Sequence, residues 1–432
     1  ALNSLQKNSF LDPIYRKISM RLIPFLFLCY LCCYLDRVNV GFAKLQMQDD
    51  LAFSNAVYGF GAGVFFIGYF FFELPSNLLI LRYGARRCIA RIMVLWGLLS
   101  TATMFVSSPI EFYIVRFLLG AAEAGFFPGV IFYLTLWYPA QRRGKVIALF
   151  GTAVAVSTVI GAPISGLIME NMGGYMKLKG WQWLFLIEGL PSVAIGLFAL
   201  YYLDDTIKQA TWLTDKEKAL VYADLATQDS APKHSSIRAA FKLAETWWMA
   251  GIYFFLVMGL YGLNFWMPTI IQELGYEDLV VNGMINMIPF GAAAITMVLV
   301  GWNADRVNER YWHIVVPAFI GASALLVSIG TLGSPILSII ALTVAACGIF
   351  SAIPQAWGLV TTFVTGGAAA ASIAIVNSIG NLSGFVGPFA IGLLRDMTGS
   401  TAVGVGLLAT SLIVGALMVL VVARKNRRTQ NL

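Results

Sequence analysis

Four charged side chains stand where a charge is costly. Arg116 and Glu123 lie in the stretch RFLLGAAEAGFFPG, inside an apolar run from Phe112 to Trp137 that is long enough to cross a bilayer. Arg116, Gly120 and Glu123 are spaced i, i+4, i+7, so a helix puts them on one face. Asp36 and Arg37 are neighbours near the end of the first apolar run. A charge at membrane depth is tolerated when it is paired or faces water. The spacing therefore predicts a cavity on that face, not lipid. Two kinds of chemistry fit. A guanidinium stays charged and offers a fork of donors to a carboxylate anion. A carboxylate beside a permanent cation can take up or release a proton as its partner changes.

The elements that must hold these residues are membrane helices. Of 432 residues, 59% are apolar and 12% charged, and the mean hydropathy is +0.77. A soluble domain carries roughly twice that charged fraction. The apolar runs are continuous rather than alternating, which excludes a β-barrel. Twelve runs are predicted as transmembrane helices, at 19–43, 55–80, 87–106, 110–137, 145–169, 182–203, 246–272, 282–303, 312–331, 336–363, 369–394 and 401–423. Connections are short except 204–245. Its first part, DDTIKQATWLTDKEKALVYADLA, reads as one or two amphipathic helices, and Ser230–Ser236 as a linker. The expected organisation is an N-terminal segment 1–18, a six-helix domain 19–203, the central loop 204–245, a second six-helix domain 246–423 and a tail 424–432.

On this layout 23 of the 29 Lys and Arg residues fall on the side of the termini and four on the opposite side, with Arg37 and Arg116 inside spans. The positive-inside bias then makes both termini and the central loop cytosolic. The net charge of +7 is thereby a topology signal and not a nucleic-acid footprint. The five cysteines sit in or beside apolar spans without metal-ligand spacing. The first 20 residues carry no signal-peptide pattern. No phosphate loop, nucleophile–base pair or metal cluster appears, so no cofactor is expected, and any pumping must draw on an ion gradient.

The halves echo each other. Gly161-Ala-Pro163-Ile-Ser-Gly166 in span five matches Gly387-Pro388-Phe-Ala-Ile-Gly392 in span eleven. Arg82-Tyr-Gly84-Ala-Arg86-Arg87 follows span two, and Gly301-Trp-Asn-Ala-Asp305-Arg306 follows span eight. Internal repeats with a site at their interface are the plan of secondary transporters. Together these features resemble the major facilitator superfamily. Four motifs are similar to its anion:cation symporter family: Tyr34-Leu-Asp36-Arg37-Val-Asn39, Arg116…Glu123-Ala-Gly-Phe-Phe-Pro128, Lys179-Gly-Trp181-Gln-Trp183…Glu188-Gly-Leu-Pro191 and Asn377-Ser-Ile-Gly380-Asn381. The likeness is strongest to the branch carrying tartrate, aromatic acids and sugar acids. One departure stands out: Leu81 precedes Arg82 where the superfamily usually has an aspartate, while Asp305 keeps it in the second half.

The resemblance implies an all-α integral membrane fold of twelve helices in two pseudo-symmetric six-helix domains, working as a monomer in a bacterial inner membrane. It makes Arg37 a contact for a substrate carboxylate, Glu123 a proton carrier, and Tyr34 and Tyr69 substrate contacts. Asp36 is a second proton-coupling candidate. Each has a structural alternative: Arg37 in a salt bridge with Asp36 or facing the loop at the span's end, Asp36 as a structural partner of Arg37 or of another helix, a permanent Arg116–Glu123 pair, or tyrosines that only pack or belong to an interfacial belt. Arg116 is open between charge partner and site residue. In the second half the polar candidates are Ser351, Gln355, Trp357, Thr361, Asn377 and Asn381, with Asn377 and Asn381 on one face. Glu73 either faces the cavity with Tyr69 or makes a hydrogen-bonded interhelical contact, and Glu188 reads as structural. The expected function is proton-coupled symport of a small organic anion. An exporter or exchanger on the same fold, and a membrane sensor that binds without transporting, are the alternatives. A membrane enzyme is disfavoured by the missing catalytic cluster.

Overall fold

A computed structural model describes residues 4–226, 237–363 and 369–430. Twelve helical stretches among them are long and apolar enough to cross a membrane. In the first half, span one is α1 (Ser4–Val38) continued by α2 (Val40–Asp50), and span two is α3 (Asn55–Tyr83). Span three is α4 (Ala85–Ala102), and span four is α5 (Pro109–Glu123) followed by α6 (Phe126–Thr135). Spans five and six are α7 (Ala140–Met172) and α8 (Gly180–Tyr202). The central segment carries α9 (Asp215–Ala226) and α10 (Ile237–Lys242). The second half has α11 (Ala244–Glu273), α12 (Leu279–Val307), α13 (Trp312–Gly330), α14 (Pro335–Phe363), α15 (Ala369–Thr398) and α16 (Ala402–Gln430).

Local chemistry sets many of these boundaries. Ser54, Ser108 and Asp278 cap α3, α5 and α12 by accepting from the N–H three residues on. Thr214 and Glu217 form a reciprocal capping box that starts α9 inside the predicted amphipathic stretch. The expected linker at 230–236 lies outside the described residues. Span one is longer than its hydropathy indicates. Its helix begins at Ser4 and runs past 43 to Asp50, because Asn39 keeps helical backbone angles and its N–H still reaches Leu35 O at 2.9 Å.

Span four is interrupted one residue after Glu123. Gly125 adopts φ 85°, ψ −2°, a left-handed conformation open to glycine. The interruption has a cause in the sequence. Pro128 has no N–H to give Ala124 O and would clash with that carbonyl in an unbroken helix. Restarting at Phe126 puts Pro128 in a first turn, where no donor is needed.

The halves meet along α3 with α15, α7 with α12 and α2 with α11. Gly166 and Gly283 let α7 and α12 approach closely. A methyl at Gly166 would lie 2.3 Å from Leu279 O, and one at Gly283 2.5 Å from Ala162 O. Seam contacts concentrate on the side away from the chain ends. There Asp396, at the end of α15, accepts from the Asn55 and Ala56 N–H groups at 3.0 and 2.7 Å and so caps α3 of the other half. Tyr58 donates to Phe265 O at 2.6 Å across the same seam.

Candidate functional site

The site is centred on Arg37, buried near the end of α1. Its Nε donates to Glu123 Oε1 at 3.0 Å and its Nη2 to the same oxygen. Glu123 ends α5 immediately before the Gly125 break, so the broken span presents this carboxylate to α1. The rings of Tyr34, Phe65 and Tyr69 lie 5.2, 5.4 and 5.8 Å from the guanidinium carbon, so the cation is sheathed in π faces. Glu123 therefore pairs with Arg37 and not with Arg116, the partner suggested by the i, i+7 spacing.

From Arg37 a chain of hydrogen bonds crosses the seam. Arg37 Nη1 donates to the Tyr261 hydroxyl at 3.3 Å, and that hydroxyl donates to Asn381 Oδ1 at 3.2 Å. Asn381 Nδ2 reaches Asn377 Oδ1 at 3.4 Å, and Asn377 Nδ2 donates to Glu73 Oε1 at 3.0 Å. Ser378 Oγ donates to the other Glu73 oxygen at 2.9 Å. Glu73 is thus hydrogen-bonded between helices, with its partners in the opposite half. Beside this chain, Asn264 Nδ2 donates to the Tyr34 hydroxyl at 2.9 Å.

Asp36 points elsewhere. Consecutive helical residues do not share a face, and Asp36 turns away from Arg37 towards α4 and α8. It accepts from Trp96 Nε1 at 3.1 Å, Ser100 Oγ at 2.9 Å and Ser192 Oγ at 2.7 Å. Asp36 is thus not in a salt bridge with Arg37 but is hydrogen-bonded to other helices, the second of its structural alternatives. Arg116 is 1% exposed, and its donors go to main-chain carbonyls: Gly61 at 3.3 Å, Arg37 at 3.4 Å and Ala62 at 3.5 Å. It ties α5 to α1 and α3 through those carbonyls, and its guanidinium carbon lies 5.2 Å from the Phe65 ring that also covers Arg37. Trp357 packs on Tyr253 with ring centroids 4.8 Å apart and makes no described contact with Arg37. Gln355 accepts from Arg310 Nη1 at 3.0 Å, which engages it in the second half alone.

A family profile, the Major Facilitator Superfamily, matches residues 26–388. The chain belongs to the major facilitator superfamily. It is 46% identical to a putative metabolite transport protein, NicT, of Pseudomonas putida, over 95% of both chains. It is 45% identical to a putative tartrate transporter of Agrobacterium vitis, over 96% of this chain and 92% of that one. These relatives fit the anion:cation symporter branch that the motifs of spans one, four, six and eleven resemble. Among solved structures, a D-xylose–proton symporter superposes with a TM-score of 0.75 at 15% identity, covering 93% of this chain and 97% of that one. The protein is a multi-pass membrane transporter of this superfamily and not an enzyme.

Two residues of this candidate site escaped the reading of the sequence. Tyr261 and Asn264 reach the Arg37 cluster from α11, the span most deeply buried inside the protein. They stand three residues apart in an apolar run, so a helix puts them on one face. The same signal marked Asn377 and Asn381, and it was available here.

Proposed function

We propose that this transporter is a proton-coupled symporter for a small organic anion, a hydroxy acid, sugar acid or aromatic acid, and that it works by alternating access. The observation that carries the reading is the buried Arg37–Glu123 pair bridged by Tyr261 to the opposite half. A substrate carboxylate that docks on Arg37 must displace Glu123. Glu123 would then be a buried anion without its cation, a costly arrangement, and taking up a proton removes that cost. The cluster stays neutral before and after, Arg37 with ionised Glu123 or Arg37 with substrate anion and protonated Glu123. The halves can then close over either form without burying a net charge.

Tyr34, Tyr69, Asn377 and Asn381 surround the anion and read its hydroxyls, with Tyr261 and Asn264 beside them and Trp357 further out. Asp36 is the second proton site, held by three neutral donors and linked to the cluster through the backbone it shares with Arg37. Arg116 braces the site through main-chain carbonyls. The bias of Lys and Arg and the bacterial relatives support a bacterial inner membrane with both termini cytosolic. The seam contacts on the far side then correspond to a state closed to the outside. The partners are the organic anion, protons and the bilayer, with the protein acting as a monomer.

The test is uptake of labelled organic acids, tartrate among them, into proteoliposomes with and without an inward proton gradient. Wild type is expected to accumulate its substrate only with the gradient. Glu123→Gln is expected to exchange substrate downhill but not to concentrate it. Gradient-independent transport by both proteins would overturn the coupling, and substrate extrusion along the imposed gradient would make the protein an exporter.

A further inference from the structure

A second chamber, apolar with polar side chains in its wall, lies on the same seam next to the Arg37 cluster, with which it shares Asn264. It encloses about 30 Å³ and is lined by Asn39 of α1/α2, Ser157, Thr158 and Ser165 of α7, Asn264 of α11 and Asn286 of α12, among apolar neighbours. That is room for one water or one small ion.

The hydrogen bonds of the lining give the chamber its character. Asn39 Nδ2 and Ser165 Oγ donate to the two Glu188 oxygens at 2.9 and 3.1 Å. Ser157 and Thr158 donate back to Val154 O at 3.0 and 2.7 Å. Asn264 donates to Tyr34, and Asn286 Nδ2 donates to Asn282 O at 3.0 Å and to Asn282 Oδ1 at 2.8 Å. Each of these polar groups thus spends a donor hydrogen on a protein acceptor and keeps acceptor capacity on its oxygen. Asn39 Oδ1 is buried without any partner, on a residue 3% exposed. Behind Asn39 and Ser165 stands Glu188, a buried carboxylate with no cation among the described residues. One helical turn further along α8, Ser192 holds the equally cation-free Asp36.

Oxygen acceptors, an orphaned carbonyl and an uncompensated carboxylate together ask for positive charge. We propose that this chamber binds one small, dehydrated monovalent cation of about sodium's size, with Glu188 as its counter-charge. Neutral amide and hydroxyl oxygens suit a hard cation, and a single carboxylate suits a single charge. The lining comes from both halves, so the site is complete only while the seam is closed on the far side. A cation bound there favours that state over the opened one. The inference does not depend on protons driving uptake.

The experiment is thermal unfolding of the purified protein in detergent, without substrate and at fixed pH. Sodium chloride, potassium chloride and N-methylglucamine chloride are exchanged at constant ionic strength. The expected result is a rise in Tm specific to sodium that sets in near the dissociation constant and then grows with the logarithm of concentration, since a ligand of the folded state at concentration c stabilises it by RT ln(1 + c/Kd). Glu188→Gln keeps the hydrogen-bonding shape and removes the charge, and Asn286→Ser withdraws an oxygen from the opposite wall. Both are expected to raise at least tenfold the sodium concentration needed for a given rise in Tm. No sodium-specific rise in wild type would overturn the proposal and leave a water in the chamber. A sodium-specific rise that both variants show at the same sodium concentrations as wild type would also overturn it, by placing the cation elsewhere.

Discussion

Arg37 uses three of its nitrogens on two partners from different halves of the molecule, Glu123 and Tyr261. A lysine would keep the charge but not the planar fork that spans both partners. Arg37→Lys is therefore expected to fold and to lose substrate affinity at least tenfold, measured as the half-saturation of uptake in proteoliposomes. Wild-type affinity would remove Arg37 from the substrate site. Tyr261→Phe is a finer test, because it deletes one hydroxyl that accepts from Arg37 and donates to Asn381. A hydrogen bond of this kind contributes about 0.5–1.5 kcal/mol, with more at stake for a charged partner. Uptake should need roughly three- to tenfold more substrate for half-saturation, with Tm nearly unchanged. An unchanged half-saturation would mean that the seam chain is structural only.

The break in span four decides where Glu123 can point, so the element can be tested at Gly125. A Cβ there would meet Ser76 Oγ of α3 at 2.3 Å, on a backbone already at φ 85°. The left-handed conformation alone costs an alanine about 1–2 kcal/mol. Gly125→Ala should lower Tm and reduce uptake together, and a variant matching wild type in both would show that the break does not position Glu123. The ingredients of this element were legible: Gly125 and Pro128 stand three apart inside an apolar run, directly after a glutamate. The helices and their polar faces were legible for the same local reason, since 3.6-residue periodicity needs no knowledge of neighbours. Partner choice was not. The i, i+7 spacing offers Glu123 to Arg116, yet the packing of α1 against α5 delivers Arg37 instead and leaves Arg116 to backbone carbonyls. The loop after span two shows the same limit. Leu81 stands where an aspartate was expected, but Asp205, from just beyond span six, accepts from the Arg86 N–H at 2.9 Å and pairs with the Arg86 side chain at 3.4 Å. That carboxylate caps α4 from 119 residues away in the chain, and no local pattern announces it.

For the molecule as a whole, the question is which contacts hold the far side shut. Much of that surface is compensated: Arg395 pairs with Glu273 at 2.7 Å, and Asp396 caps α3 across the seam. Lys44 is the exception. It is 2% exposed, between the rings of Tyr58 and Trp266 at 5.3 and 4.9 Å, and donates to Thr269 Oγ1 at 3.0 Å. Among the described residues no carboxylate lies within ion-pair distance of it. Tyr58 belongs to the first half, and Trp266 and Thr269 to the second, so opening the far side returns the ammonium to water. The aromatic faces and one hydroxyl offset only part of the desolvation of a buried cation. Lys44 is therefore expected to favour opening, which a carrier needs if closed and open states are to stay close in free energy. Lys44→Met keeps the length of the side chain and removes the charge, and should shift the population towards the closed far side. Spin labels at Ser54→Cys and Met397→Cys, both exposed on that surface, would read the shift when the native cysteines are replaced. The distance distribution should narrow towards the shorter separation, and turnover should slow because reopening becomes the harder step. A distribution that stays put or moves to longer separation would mean that the cage around Lys44 latches the closed state instead of loading it.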